Sequence, residues 1–561
     1  MKEEILKFFK GEADDSEETL LRYSHDASLL EVRPLLVVFP NDSEDVKNLV
    51  KWVSDSKILY PNISLTARCA GTCMSGGAIG ESIVMDFTRH MNKLVNFAQS
   101  PASITVQPGM FYRDFEKITL EKGLILPCYT ASKGLNAMGG MFGNNSAGER
   151  TLKYGKTEDY ILEAKVVFAD GNEYIVKSIS EKEFQDKIAQ NDFEGGVYKK
   201  IYDLIKENQD EIKLSKPTVH KNSAGYYIWN VLNTKNSNFF DLNKLLVGSQ
   251  GTLGIATEIT FRLVKNPKYS KLVAIFMNDL EPLGRLVDEI LPLNPETLES
   301  YDDKTMKLAV KFFPDFLKTK GLIGMIKFMW SFLPELGMMI SGGFPKLILL
   351  VEFAGETDAD ADKMCLKLKE KIANFKLKVH ITRSEAEAGK YWDIRRESFS
   401  LLRKHVAGRR TAPFIDDIIV RPEFLPKFIP ELNSILDKYD LTYTIAGHAG
   451  DGNFHIIPLM DFSRPDTGKI ILELSDKVYD LVARYHGSIT AEHNDGIIRT
   501  PYLPKMYDQK MIGIFKQIKN IFDPKNILNP GKKVPMEKGG VGTKEYISSH
   551  IAIEHKAKHG V

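Results

Sequence analysis

The chain has 561 residues, more than one hydrophobic core accommodates, so two or three domains are expected. Its 43% apolar and 27% charged residues are those of an ordinary globular protein, and 75 basic against 74 acidic side chains, net +1, leave no electrostatic footprint for nucleic acid. Four scattered cysteines, Cys69, Cys73, Cys128 and Cys365, argue against a disulfide framework or an iron–sulfur ligand set.

The N-terminus, Met1-Lys-Glu-Glu-Ile-Leu-Lys-Phe-Phe-Lys-Gly, lacks the uninterrupted apolar core of a signal peptide. A cytoplasmic protein is expected, with residues 1–32 as a polar leader. Arg33-Pro-Leu-Leu-Val-Val-Phe-Pro then reads as a buried strand, and Ser43 to Val53 as an amphipathic helix behind an N-cap serine. The strand Ile63 to Arg68 opens into Arg68-Cys-Ala-Gly-Thr-Cys-Met-Ser-Gly-Gly-Ala, followed by the strand Ser82 to Phe87. A strand, a loop of small residues and another strand can bring several backbone N–H groups to a diphosphate, although such loops are turns more often than cradles. A second loop, Met138-Gly-Gly-Met-Phe-Gly-Asn-Asn-Ser-Ala-Gly-Glu-Arg, precedes Tyr154-Gly155 and the strand Ile161 to Ala169. A third glycine-rich piece, Leu245-Leu-Val-Gly-Ser-Gln-Gly-Thr-Leu-Gly-Ile-Ala-Thr-Glu, closes this half.

From Lys271 the pattern changes. The strand Leu272 to Met277, the helix Leu283 to Ile290, the strand Lys346 to Phe353 and the helix Ala359 to Phe375 describe an α+β cap. Between them Gly321 to Ile340 is apolar, rich in methionine and aromatics, yet broken by Lys327, Pro334 and Glu335, and it is too short to span a bilayer. It packs on the protein's own cap or a homodimer face, or lies in the membrane interface. In Tyr391-Trp-Asp-Ile-Arg-Arg-Glu-Ser-Phe the arginines form either a solvated helix face or a clamp for a carboxylate.

Two apolar runs, Thr442 to Ala446 and Phe454 to Leu459, flank Gly450-Asp451-Gly452, which signals a hairpin with His448 facing His455 across the turn. Two imidazoles and the carboxylate of Glu492 suit zinc or manganese, and His493 is then available as a base near neutral pH. The competing reading is that these are core histidines satisfied by hydrogen bonds. After Phe522-Asp-Pro-Lys-Asn-Ile-Leu-Asn-Pro-Gly-Lys the tail 537–561 is polar, with a helix-prone run around Tyr546 to Lys556.

These motifs, with Arg22-Tyr-Ser-His-Asp-Ala and Val106-Gln-Pro-Gly, resemble the FAD-linked D-2-hydroxyacid dehydrogenases of the vanillyl-alcohol oxidase type, from about Tyr23 to Lys533. The branch comprises D-lactate dehydrogenase, glycolate oxidase and D-2-hydroxyglutarate dehydrogenase. The resemblance implies an α+β fold: an FAD-binding domain of two subdomains (33–268), a cap domain with an antiparallel sheet (269–520), and a return segment (521–536). It implies that Arg68, Ala70, Gly71, Thr72, Ser75, Gly76 and Gly77 cradle the FAD pyrophosphate. Gly139, Gly140, Asn145 and Gly148 line the ring and ribityl, Ile255 lies towards the adenine, and Tyr154, Gly155, Gly254 and Asn529 complete the cofactor set. No histidine lies in either glycine loop, so FAD is expected to bind non-covalently.

By the same resemblance His448, His455 and Glu492 bind a divalent metal, His493 is the general base, and Arg395, in the family's W-x-x-R pattern, holds the substrate carboxylate. Three departures stand out: Cys69 replaces a glycine, Gln250 a glutamate, and Asn494 the glycine that usually follows Glu-His. The lysine that holds a distal carboxylate in the 2-hydroxyglutarate branch has no counterpart in Thr411-Ala-Pro-Phe-Ile-Asp-Asp, which favours D-lactate or a similarly small hydroxy acid, with Arg409 and Arg410 as the alternative cations for a dicarboxylate. The implied activity is oxidation of that acid to the 2-oxo acid, with electrons passed to a quinone, an electron-transfer flavoprotein or an iron–sulfur protein. A quinone at the inner face of the membrane goes with the Gly321–Ile340 stretch. Two alternatives stay open: a non-redox flavin enzyme of the ether-lipid synthase type, and an FAD-binding subunit of a larger oxidoreductase complex.

Overall fold

The computed structural model describes residues 1–232, 239–311, 344–405, 409–535 and 540–552. The apolar stretch 321–340 lies outside the described residues. Among those described, no helix is long and apolar enough to cross a membrane.

The first sheet has the order Glu12–Asp14, Leu36–Phe39, Ile83–Asp86, Leu65–Arg68, the last three strands parallel. Leu36–Phe39 and Ile83–Asp86 are buried along their whole length, as strands covered on both faces must be. The helix Ser43–Ser56 packs its Val46, Leu49, Val50 and Val53 stripe on this sheet. Its cap is Asp42 rather than Ser43: the Asp42 carboxylate accepts from Asp45 N at 3.1 Å, and Ser43 is already the first helical residue. Residues 1–32 are not a detached leader. Ile5 and Phe9 are buried in this subdomain, Glu12–Asp14 pairs with Leu36–Phe39, and the Tyr23 hydroxyl donates to Asp86 at 2.6 Å.

The second subdomain is a five-stranded antiparallel sheet, ordered Leu94–Gln99, Ala102–Val106, Ile255–Arg262, Ile161–Val167, Glu173–Lys177. The cap carries a seven-stranded antiparallel sheet, ordered Lys378–Ile381, Tyr269–Met277, Leu347–Gly355, Thr297–Asp302, Ile445–His448, Asn453–Ile456, Ile418–Ile419. The fold class matches the α+β expectation, and the cap sheet is antiparallel as expected. Residues 540–552 are also built in: the helix Lys544–Ser549 sets the Tyr546 hydroxyl on Glu81 at 2.8 Å, and Ile551 bridges Leu30.

Two segments tie the cap to the FAD-binding domain. In 220–225, Ser223 N donates to Thr490 O at 3.0 Å, Ser223 Oγ to Ala491 O at 2.8 Å and Gly225 N to Asp495 Oδ2 at 2.8 Å. Gly225 has φ +69°, and a Cβ there would lie 2.3 Å from the Phe515 ring, so only glycine lets this strap pass. The return segment contributes Asn529, fully buried, whose amide donates to Gly77 O at 3.0 Å and Gln250 O at 2.7 Å while its oxygen accepts from Thr66 and Lys532. Asn529→Ala takes the amide donor from the Gly77 and Gln250 carbonyls and one acceptor from the Lys532 ammonium, which keeps Ile79 O at 2.7 Å, at about 2–3 kcal/mol; a denaturation midpoint lowered accordingly, against an unchanged midpoint for a surface control such as Lys369→Ala, checks it.

Candidate active site

The predicted hairpin forms, with a different register. His448 pairs with Asn453, and Ala446 is the residue opposite His455, so the two histidines sit diagonally on one face with ring centroids 5.3 Å apart. Gly452 closes the turn at φ +79°, with its Cα so close to Val420 O that a Cβ would lie 1.9 Å away. Glu492 and His493 arrive on a separate loop held by Asp417. One oxygen of Asp417 accepts from Thr490 Oγ1 (2.7 Å), Glu492 N (2.8 Å) and His493 N (2.7 Å), and the other accepts from Asn453 Nδ2 (3.1 Å).

His448, His455 and Glu492 each offer a ligand atom, all within 4.8 Å of one another. His448 Nδ1 lies 2.6 Å from Glu299 Oε1 and His455 Nδ1 lies 3.2 Å from Asp416 Oδ1, which leaves Nε2 of each ring as the nitrogen for a cation. Lys221, fully buried, reaches Glu492 Oε1 at 2.5 Å and Asp451 Oδ2 at 2.8 Å. His493 Nδ1 is 2.7 Å from Asp416 Oδ2, and its ring stacks on His455 at 5.1 Å. Arg395, from helix Glu385–His405, pairs with Glu299.

Burial opposes charge throughout this cluster, and the partners outweigh it. Glu299 lifts His448 to about 9, and Asp417 and Asp416 lift His493 to about 9. Against burial, Lys221 and His448 hold Glu492 well below the usual carboxylate range; His493 and His455 do the same for Asp416. Five buried carboxylates, Glu299, Asp416, Asp417, Asp451 and Glu492, crowd one site, a donor set that suits a divalent cation.

The same cavity, about 560 Å³, runs from these groups along the glycine loops. Of the expected cofactor residues, Arg68, Ala70, Gly71, Thr72, Gly77, Gly139, Gly140, Gly148, Gly254 and Ile255 line it together with Arg395, His448, His455, Glu492 and His493. The piece read as a second loop is instead a short helix, Met138–Asn144, whose Gly140 faces open space in the cavity: a Cβ there meets nothing within 4 Å. Ser75, Gly76, Asn145, Tyr154, Gly155 and Asn529 are not on its wall. Ser75 O instead accepts from Ile497 N (2.8 Å), and Gly76 packs against Ile497 and Leu30. Asn145 is a left-handed helix cap whose oxygen accepts from Glu158 N, the Tyr154 hydroxyl donates to Glu296, and Gly155 turns the chain at φ +81°. Asn529 holds the Gly77 and Gln250 backbones from behind.

The three departures are accommodated. Cys69 keeps ordinary backbone angles and sets Sγ 3.4 Å from Pro108 O. Gln250 (φ +54°) accepts from Gly496 N at 2.8 Å, linking the domains. Asn494 takes the left-handed conformation (φ +69°) that asparagine tolerates, and its amide donates to Gly248 O at 2.8 Å. Asp416, Asp417, Lys221, Glu299 and Asp451 were not assigned from the sequence. The acid pair inside the apolar run Phe414 to Val420 and the acid within the buried strand Thr297–Asp302 were visible signals; Lys221 carried none.

An elongated glycine-lined cavity under a cap, closed at one end by imidazoles and carboxylates, defines a two-domain flavoprotein of the vanillyl-alcohol oxidase type. Residues 34–176 match the family described as FAD binding domain, and residues 266–533 match FAD linked oxidases, C-terminal domain. The chain belongs to the FAD-linked oxidases, in the branch of the D-2-hydroxyacid dehydrogenases. It is 28% identical over 540 residues to the glycolate oxidase subunit GlcD of Bacillus subtilis (strain 168), covering 95% of this chain and 96% of that one. It is 26% identical over 536 residues to D-2-hydroxyglutarate dehydrogenase of Escherichia coli (strain K12), covering 94% of this chain but 51% of that protein, so the chain spans about half of that relative's length. Its fold is shared by 4-ethylphenol oxidase from Gulosibacter chungangensis, TM-score 0.67 at 16% identity, over 95% of this chain and 96% of that one.

A cation at this triad would compete with protons for His448. Because its pKa lies near 9 without one, affinity for Zn²⁺ or Mn²⁺ is expected to rise by roughly tenfold per pH unit from pH 7 towards 9 and then level. Calorimetric titration of chelator-stripped protein at pH 7.0 and 8.0 (about these values), in buffers of different ionisation enthalpy, would show proton release on binding; a pH-independent affinity would contradict it.

Proposed function

We propose that this protein is an FAD-dependent dehydrogenase that oxidises a D-2-hydroxy acid to the 2-oxo acid with the help of a divalent metal. The observation that carries this reading is one cavity lined at once by the glycine loops and by Arg395, His448, His455, Glu492 and His493. The bare glycine faces fit FAD, held without a covalent bond by Arg68 to Gly77 on one side and Gly139 to Gly148 on the other. Bound there, FAD supplies the two-electron oxidising power for removal of a hydride from the substrate carbon. Zinc or manganese on His448, His455 and Glu492 supplies Lewis acidity towards the substrate hydroxyl.

The chain's own residues do the rest. Arg395, on the cavity wall and held by Glu299, orients the substrate carboxylate by a charge-assisted hydrogen bond. His493 takes the hydroxyl proton, and Asp416, ion-paired to its Nδ1, orients the ring and stabilises the imidazolium that results. The base must be neutral before it acts. Asp417 and Asp416 raise its pKa to about 9, and a cation held by His448, His455 and Glu492 would counter those carboxylates and favour the neutral ring. Lys221 keeps Glu492 ionised and in place. Electrons pass on to an acceptor outside these 561 residues, a quinone, an electron-transfer flavoprotein or an iron–sulfur protein, since Cys73, Cys128 and Cys365 are buried singly and Cys69 packs on Pro108.

Anaerobic mixing with D-lactate, glycolate and D-2-hydroxyglutarate, with and without chelator, tests the reading through the flavin absorbance. Bleaching by at least one acid, abolished by chelation and restored by Zn²⁺ or Mn²⁺, is expected; no bleaching by any of them in metal-replete protein defeats it. His493→Asn should slow reduction by about 10²–10⁴-fold while flavin and metal contents stay at wild-type levels.

A further inference from the structure

Two adjacent arginines of helix Glu385–His405 are each held by a buried carboxylate, from opposite sides of the domain boundary. Arg395 pairs with Glu299 of the cap sheet. Arg396 donates from Nη2 to both oxygens of Glu149, at 2.8 Å each, and Glu149 belongs to the FAD-binding domain, immediately after the short glycine helix and its turn. The Glu149 side chain is 12% exposed, lines the same cavity as Arg395, and also accepts from the Tyr129 hydroxyl at 3.2 Å. Arg396 is 48% exposed, stacks on Trp392 and is absent from the cavity wall. The cavity therefore meets the anionic member of this pair and not the cationic one.

We propose that Glu149 is a specificity-determining residue that closes the cavity to dicarboxylic 2-hydroxy acids and reserves it for monocarboxylic acids with an uncharged tail. The inference rests on the reading of the cavity as a 2-hydroxy-acid site. One substrate carboxylate is met by Arg395. A second would enter a cavity whose wall carries the Glu149 carboxylate, while the Arg396 guanidinium that pairs with it from Nη2 lies off that wall. Although burial opposes its ionisation, Arg396 and Arg395 hold Glu149 below the usual carboxylate range, so the wall is charged at neutral pH. An uncharged tail meets no like charge.

The test uses the full-length flavin-loaded protein and the variants Glu149→Gln, which keeps the shape and an oxygen for Arg396, Arg396→Ala, and both together. Two readouts are taken: the ratio of kcat/KM for D-2-hydroxyglutarate to that for D-lactate, and the ratio of Kd for 2-oxoglutarate and pyruvate from flavin difference spectra, which needs no turnover. Wild type should favour the monoacid by about tenfold or more in both. Glu149→Gln should move both ratios towards the diacid by about tenfold or more, Arg396→Ala should move them the other way, and the double variant should lose the gain. Wild-type ratios near unity, or ratios that Glu149→Gln leaves unmoved, overturn the proposal. Should Glu149→Gln fail to retain flavin, the wild-type ratios and Arg396→Ala still decide. Binding ratios as expected with no flavin reduction by any hydroxy acid would sink the oxidation and leave the charge selection standing. Efficient reduction by D-2-hydroxyglutarate would do the reverse.

Discussion

The site depends on two neighbouring carboxylates buried in the cap, Asp416 and Asp417. Asp417, held at φ +67°, spends its oxygens on the backbone of Glu492 and His493, on Thr490 and on Asn453, and so sets the Glu492–His493 loop against the hairpin. Asp416 faces the other way and lies against both His455 and His493. Fully buried Arg499 accounts for part of their tolerance: it donates to Asp416 O at 2.8 Å and to Asn494 O at 3.0 Å, placing a cation behind the pair. A strained non-glycine backbone and clustered buried acids are costly, and they occur here where two loops must be held within ligand distance.

The site is also a product of two domains. His448, His455, Glu492 and His493 ride on the cap, whereas Lys221 comes from the FAD-binding domain and grips Glu492 and Asp451 at once. Around it, the strap 220–225 and Gln250 hold the 490–496 loop across the boundary, so any opening of the cap breaks hydrogen bonds next to Glu492 and His493. Domain closure and cluster geometry are therefore one constraint. The charge balance follows the same rule: each arginine of the Arg395–Arg396 pair is met by a carboxylate from a different domain.

Much of this was legible in the amino-acid order. The continuous apolar, β-prone runs placed several strands to within a few residues, because a strand covered on both faces needs apolar residues along its whole length. The hairpin, Glu492-His493 and the glycine pieces were each recognisable as short local patterns, since a turn, a ligand spacing or a bare backbone needs particular residues close together. Asn494 is instructive: an apparent departure is explained by a left-handed φ that asparagine shares with glycine.

Tertiary structure decided what depends on contacts between distant segments. The register that offsets His448 from His455 was set by a longer turn than the Asp-Gly signal implied, and the helical form of Met138–Asn144 by its packing against Gly248 and Gln250, whose N–H groups bond Phe142 O and Gly143 O. Residues 1–32 and 540–552 are packed onto the domains because Ile5, Phe9, Tyr546 and Ile551 find apolar partners far along the chain. Lys221 and Glu149 owe their roles entirely to the other domain: an isolated lysine or glutamate carries no local signal, and only folding brings its opposite charge within reach.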